Sequence, residues 1–251
     1  MTGVGERIAK RIARAGLGSR RDAERMIVAG RVAVDGVPIS SPALNVTPDM
    51  RVSVDGAPLP EAGKTRLWRY HKPLGLVTSH RDPQGRPTVF EVLPREIGRV
   101  ISVGRLDLRS EGLLLLTNDG GLARKLELPA TGWIRRYRAR VHGHPEARQL
   151  ATLGEGIIVD GMRYGPIRAA LDSQRGDNAW LTIALAEGKN REVRRVLEHL
   201  GWQVNRLIRI AYGPFQLGKL ETGELREVPA KVVAEQVAAE APPKPDAHRR
   251  R

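Results

Sequence analysis

A chain of 251 residues with 41% apolar side chains is long enough for one large domain, or a large and a small one, each with its own core. The absence of cysteine excludes disulfides, thiolate metal sites and cysteine nucleophiles, and no run approaches the roughly 20 apolar residues that span a bilayer. Lys and Arg outnumber Asp and Glu by 42 to 28, a net charge of +14, so the expected partner is a polyanion, nucleic acid rather than a membrane surface. The first residues lack the apolar stretch of a secretory signal, and a cytoplasmic protein is expected.

Residues 5–29 read as two short helices. Ile8, Ile12 and Ala15 recur at helical spacing and Gly16 and Gly18 stop the first. Ser19 opens the second, with Asp22 three residues on in the capping pattern. Two short strands follow, 31–34 before Asp35-Gly36 and 51–54 before Asp55-Gly56, each with hairpin punctuation. The helices carry Arg7, Lys10, Arg11, Arg14, Arg20, Arg21 and Arg25, and Arg31 comes next, against only Glu6, Asp22 and Glu24. A solvated, salt-bridged face would also produce such a run, but the imbalance favours phosphate binding. Residues 1–60 are expected to form this small basic domain and 61–66 a linker. From 67 to 230 the pattern is short strands broken by turns. Strands are expected at 67–71, 100–103, 113–117, 137–141, 157–159 and 180–185, and helices at 122–127, 145–153 and 191–200. That is an α+β arrangement with a mixed, mostly antiparallel sheet. Residues 231–251 read as a basic tail, disordered after at most one short helix.

The most informative stretch is Gly104-Arg105-Leu106-Asp107, followed by Ser110-Glu111-Gly112-Leu113-Leu114-Leu115-Leu116-Thr117-Asn118-Asp119-Gly120. A strand delivers a glycine turn and then an aspartate in a loop, and a second apolar strand leaves the same loop. A sheet fixes groups held in this way, as active sites require. Alone, a loop aspartate is more often a turn former.

The assembled segment resembles the signature of the pseudouridine synthases of the RsuA/RluB branch. Four further segments fall in that family's order: Tyr70-His71-Lys72-Pro73-Leu74-Gly75; Asp82-Pro83-Gln84-Gly85-Arg86-Pro87-Thr88-Val89-Phe90; Arg136-Tyr137-Arg138-Ala139-Arg140-Val141; and Glu187-Gly188-Lys189-Asn190-Arg191-Glu192-Val193-Arg194-Arg195. The N-terminal unit resembles the S4 RNA-binding domain, on Ile8-Ala9-Lys10, the run from Ala15 to Arg21 and the run from Ala29 to Gly36. Asp82–Phe90 and Glu187–Arg195, with the S4-like N-terminus, are more similar to the subgroup acting on 23S rRNA than to the one acting on 16S rRNA.

The resemblance implies isomerisation of uridine to pseudouridine in ribosomal RNA, with no cofactor and no metal. It implies that Asp107 is the catalytic carboxylate, attacking C1′ or taking the 2′ proton without a metal. It also implies that Tyr137 stacks on the flipped base and that Arg194 pairs with the aspartate to keep it ionised. Arg105 would extrude the base or hold a flanking phosphate, and Leu207 or Ile208 would be the apolar wall under the tyrosine. Glu111 and Asp119 read as structural, and His142 and His144 lack a third metal ligand nearby. A monomer is expected. The rival readings are a 16S enzyme and a non-catalytic RNA-binding assembly factor, which would be expected to have lost Asp107, Tyr137 or Arg194.

Overall fold

A computed structural model describes residues 5–128 and 131–238, which divide into two compact units. In the first, residues 5–65 with the short segments 95–100 and 118–120, strand β1 (Glu6–Arg7) leads into helix α1 (Ile8–Arg14), and α2 (Arg20–Val28) follows. The second helix starts as its sequence demands. Asp22 N donates to Ser19 Oγ at 3.1 Å and Ser19 N donates to the Asp22 carboxylate at 2.8 Å, so the capping box is complete. Strands β2 (Val32–Val34), β3 (Val37–Pro38), β4 (Asn45–Val46), β5 (Val52–Val54) and β6 (Ala57–Pro58) come next. β1 pairs with β4, and the others form a sheet in the order β3-β2-β5-β6. Asp35-Gly36 and Asp55-Gly56 both have positive φ at both positions, the primed turn whose twist matches that of paired strands. Ile8, Ile12, Ala23 and Ile27 from the helices pack against Val32 and Val52 of this sheet.

The second unit comprises residues 66–94, 101–117 and those from 121 onward. Its strands are β7 (Leu67–Lys72), β8 (Ile101–Val103), β9 (Glu111–Thr117), β10 (Arg135–His142), β11 (Ile157–Val159), β12 (Met162–Tyr164), β13 (Ile167–Arg175), β14 (Asn178–Leu185), β15 (Gln203–Tyr212), β16 (Phe215–Gln216) and β17 (Leu225–Glu227). Helices α3 (Gly120–Glu127), α4 (Ala147–Thr152), α5 (Glu192–His199) and α6 (Ala230–Ala238) are interspersed. The main sheet runs β13-β14-β10-β15-β9-β7-β17, with β16 on β15 and β8 on β9. Its strand pairings are antiparallel except β15 with β9, where Ile208 lies beside Glu111 and Arg209 beside Gly112. This is an α+β fold.

All seven residues of β9 are buried, as a continuous apolar run through the middle of a sheet requires. One core gathers the inward side chains of β10 and β14 with α4 and α5, among them Val141, Leu181, Ile183, Val196 and Trp202. The other joins Leu67, Leu113 and Leu115 to Leu126 of α3, Tyr212, Phe215 and Val233 of α6.

Several expectations change at this level. The structure adds strands β13 and β15 to those the sequence predicts, and β15 is central. Its pairing with β10 shifts register between Arg136 and Tyr137 and again between Arg140 and Val141, and such irregularities erase the strict alternation that marks a strand. The helix expected at 145–153 is shorter and passes into a tight turn at Leu153–Glu155. Helix α6 is the one short helix the sequence allowed at the start of the tail segment, and residues 239–251 lie outside those described.

Candidate active site

Strand β8 ends at Val103, and Gly104 turns the chain with φ +66°, a conformation open to glycine at little cost. Residues 105–110 then form a loop in which every backbone carbonyl is engaged. Leu106 O accepts from Thr78 Oγ1 at 2.8 Å, and Leu108 O accepts from Gly75 N at 2.9 Å. Asp107 O and Ser110 O accept from Lys72 Nζ at 3.2 and 2.9 Å. Arg109 O accepts from Arg194 Nη2 at 2.6 Å, and Arg105 O takes a long contact of 3.5 Å from Arg209 Nη1. A loop with no repeating hydrogen-bond ladder is thereby held at each residue, which fixes the direction in which Asp107 leaves the backbone.

Lys72 is fully buried and gives its third proton to Pro73 O at 3.0 Å. Burial lowers its pKa to about 8, against the attraction of Asp107 and Glu111. Glu111, at the start of β9, is buried and receives a two-pronged bond from Arg206, Nε at 2.6 Å and Nη2 at 3.1 Å. This ion pair ties the end of the loop to β15. Gly112 has φ +103°, and a Cβ there would lie 2.4 Å from Arg209 O. The two parallel strands therefore meet at a position that only glycine fits.

A cavity of about 530 Å³ opens beside the loop. Asp107, half-buried, shares its wall with half-buried Tyr137 from β10 and buried Leu207 from β15. Arg105, Arg135, Lys189, Arg191 and Arg209 also line it, against the carboxylates of Asp107, Glu127 and Glu192. Two guanidinium groups lie against the Tyr212 ring, Arg135 at 4.8 Å and Arg209 at 5.1 Å from its centre, and its hydroxyl accepts from Arg135 at 3.1 Å. A cavity of this size, lined by two tyrosines, an apolar wall and more cations than carboxylates, suits a planar polar base and its phosphates.

The structure therefore brings Asp107, Tyr137, Arg105 and Leu207 to one cavity. Ile208 is not among its lining residues and packs against the core around Leu113, so of the two apolar candidates only Leu207 lies in this wall. Arg194 differs from the expectation. It forms no ion pair with Asp107 among the described residues, and its guanidinium instead joins Arg109 O to Val204 O at 2.8 Å. Burial and the neighbouring Arg191 lower its pKa, while Glu198 and Asp107 oppose that shift. It therefore touches the Asp107 loop at the Arg109 carbonyl.

The basic residues of the first unit are partly its own scaffold. Arg7 donates to Ala43 O, and Arg11 donates to Thr47 O at 2.6 Å. Lys10 and Arg14 pair with Glu6, Arg25 with Asp22, and Arg31 with Asp55. Arg20 and Arg21 are exposed and have no ion pair among the described residues. Asp119 accepts from Thr65 Oγ1 at 2.9 Å, and His144 Nε2 lies 3.1 Å from Asp177.

Lys72, Arg135 and Arg209 had no assigned role in the sequence. Lys72 lies in the Tyr70–Gly75 segment, where nothing in the sequence distinguishes a buried lysine from a surface one. Arg209 is two residues past Leu207, so strand alternation puts both on one face once β15 is known to be a strand.

Comparison with known proteins assigns the family. Residues 66–199 match the RNA pseudouridylate synthase family, and residues 6–52 match the S4 domain. An uncharacterized RNA pseudouridine synthase of Rickettsia prowazekii is 47% identical over 92% of this chain and 97% of that protein. The ribosomal large subunit pseudouridine synthase B of Salmonella typhimurium is 41% identical over 86% of this chain and 76% of its own length. A crystal structure of a pseudouridylate synthase superposes with a TM-score of 0.64 at 26% identity, covering 92% of this chain and 99% of the other. The chain belongs to the RNA pseudouridylate synthase family and, with an S4 domain at its N-terminus, is an isomerase acting on uridine in RNA.

Proposed function

We propose that this enzyme converts a specific uridine of 23S ribosomal RNA to pseudouridine, with Asp107 as the catalytic carboxylate. The observation that carries the proposal is Asp107 on a fully tethered loop, facing a cationic cavity it shares with Tyr137 and Leu207. The reaction breaks the C1′–N1 bond and joins C1′ to C5 of the same uracil. N1 gains a proton and C5 loses one, so no redox partner or energy source enters. The carboxylate either attacks C1′ or removes the 2′ proton. Tyr137 stacks on the flipped base above Leu207 and assists removal of the C5 proton. Arg105 holds the extruded nucleotide by a flanking phosphate. Arg194 is a positioning residue that acts through Arg109 O.

A stacked uridine cannot reach Asp107, so the base must leave its helix at a cost of a few kcal/mol, which is least in loops and bulges. Residues 1–60 would supply binding energy away from the reacting bond, with residues 61–66 linking them to a catalytic domain at 67–230. Work on ribosomal RNA implies a cytoplasmic enzyme. Identity with relatives named for the large ribosomal subunit supports 23S over 16S RNA.

Tritium release from C5-tritiated 23S and 16S fragments tests this. Release from a 23S fragment is expected, with a loss of at least 10⁴-fold, on the order of a missing catalytic nucleophile, in Asp107→Asn. Release from 16S RNA alone would overturn the substrate assignment. Undiminished release by Asp107→Asn would overturn the role of the aspartate.

A further inference from the structure

Strand alternation gives β10 two very different faces. Tyr137, Ala139 and Val141 point to the core, and Arg136, Arg138, Arg140 and His142 point to solvent. The neighbouring strands continue the outer face. Across the pairings, Arg140 stands between Trp180 and Arg206, and Arg136 is joined through Ala184 to Arg168. Among the described residues no helix covers this side, and Arg136, Arg138, Arg140, Arg168 and Arg206 are all exposed.

A charged outer face is commonly a device for solubility, but such a face mixes signs. Here the carboxylates near the arginines are already engaged. Asp172 is bound by Arg138 at 3.5 Å and Thr182 at 3.0 Å, and Glu111 is buried under Arg206. Arg140 and Arg168 have no ion pair among the described residues. Trp180 is half-buried, with the Arg138 guanidinium 4.7 Å from its ring centre. Alternate residues on a strand are about 6.8 Å apart, so the row of arginines repeats on the scale of successive phosphates along an RNA strand. Cations in a row with an aromatic ring among them match the backbone-and-stacking pattern of nucleic-acid surfaces.

We propose that this outer face of β13, β14, β10 and β15 is a second RNA-contact surface. It takes the phosphates of a substrate segment other than the one that carries the target uridine. The target must enter the cavity on the Tyr137 side, and the arginines leave β10 on the opposite side, so one short stem-loop does not serve both. The proposal needs RNA as the substrate and does not depend on whether that RNA is 23S or 16S.

The test is the triple variant Arg136→Gln, Arg140→Gln and Arg168→Gln in the full chain, compared with the parent by equilibrium binding to a long ribosomal RNA transcript and to a minimal target stem-loop. On the long transcript Kd is expected to rise at least tenfold, and the slope of log K against log salt to fall by about 2 to 3, one phosphate contact for each lost cation. Stem-loop turnover is expected to stay within about twofold. Unchanged affinity and slope on the long transcript would overturn the proposal, as would an equal loss on both RNAs, which would place these arginines at the target site. An arginine-to-lysine triple variant should recover most of the affinity, because the requirement is charge. Failure to recover in a variant that melts like the parent would sink it. Because binding is measured without turnover, failure of the 23S assignment is distinguishable from failure of this one.

Discussion

Lys72 ties strand β7 to the loop that carries Asp107. Its three protons match three carbonyls, of Pro73, Asp107 and Ser110, in a place closed to water. The fold holds this amine at a pKa of about 8, against an ordinary value of 10.5. Between those values the unfolded chain keeps the proton and the folded chain has lost it, so raising the pH across the window favours the fold. Below about 8 both states are protonated and the contribution is flat. Relative to Lys72→Met, the native chain should therefore gain stability from pH 8 upward, with a limiting slope of about 1.4 kcal/mol per pH unit. Urea unfolding at several pH values measures this, and a difference that stays constant with pH would refute it. Catalysis should run the other way. A neutral amine has two protons for three carbonyls, so kcat should fall above about pH 8. Lys72→Met should lower kcat at least tenfold with little change in KM for RNA.

Two element boundaries make the same point with opposite legibility. The start of α2 could be read directly, because Ser19 and Asp22 are three apart and the capping box is a local structure. Ser19→Ala should cost about 1 kcal/mol, seen as an earlier thermal transition of the first unit. The junction of β9 with β15 could not be read. Residues 112 and 209 are far apart in the chain, and only their parallel pairing brings Arg209 O within 2.4 Å of where a Cβ on residue 112 would stand. Gly112→Ala must push the strands apart and also hold a left-handed φ, at a cost of about 3 kcal/mol or more. Denaturant midpoints would measure it, and a cost under about 1 kcal/mol would show that the junction yields. The register shifts that hid β15 belong to the same class, since a bulge exists only relative to its partner strand.

At the scale of the whole chain, the net charge of +14 should make RNA affinity fall steeply with salt. Arg20→Gln with Arg21→Gln, which breaks no ion pair within the described residues, should reduce the slope of log K against log salt by about 1 to 2. An unchanged slope would mean that the first unit meets RNA elsewhere. The sequence by itself determined the charge, the local caps and turns, the α+β class and the motifs that mark Asp107 and Tyr137, because each is a property of composition or of residues a few positions apart. Only the tertiary structure decided that Lys72 is a buried donor, that Arg194 reaches the aspartate's loop by way of Arg109 O, that Leu207 rather than Ile208 lines the cavity, and that Arg209 joins them. Those facts depend on which strands become neighbours, and the free energy that selects the neighbours comes from burying side chains distant in the chain.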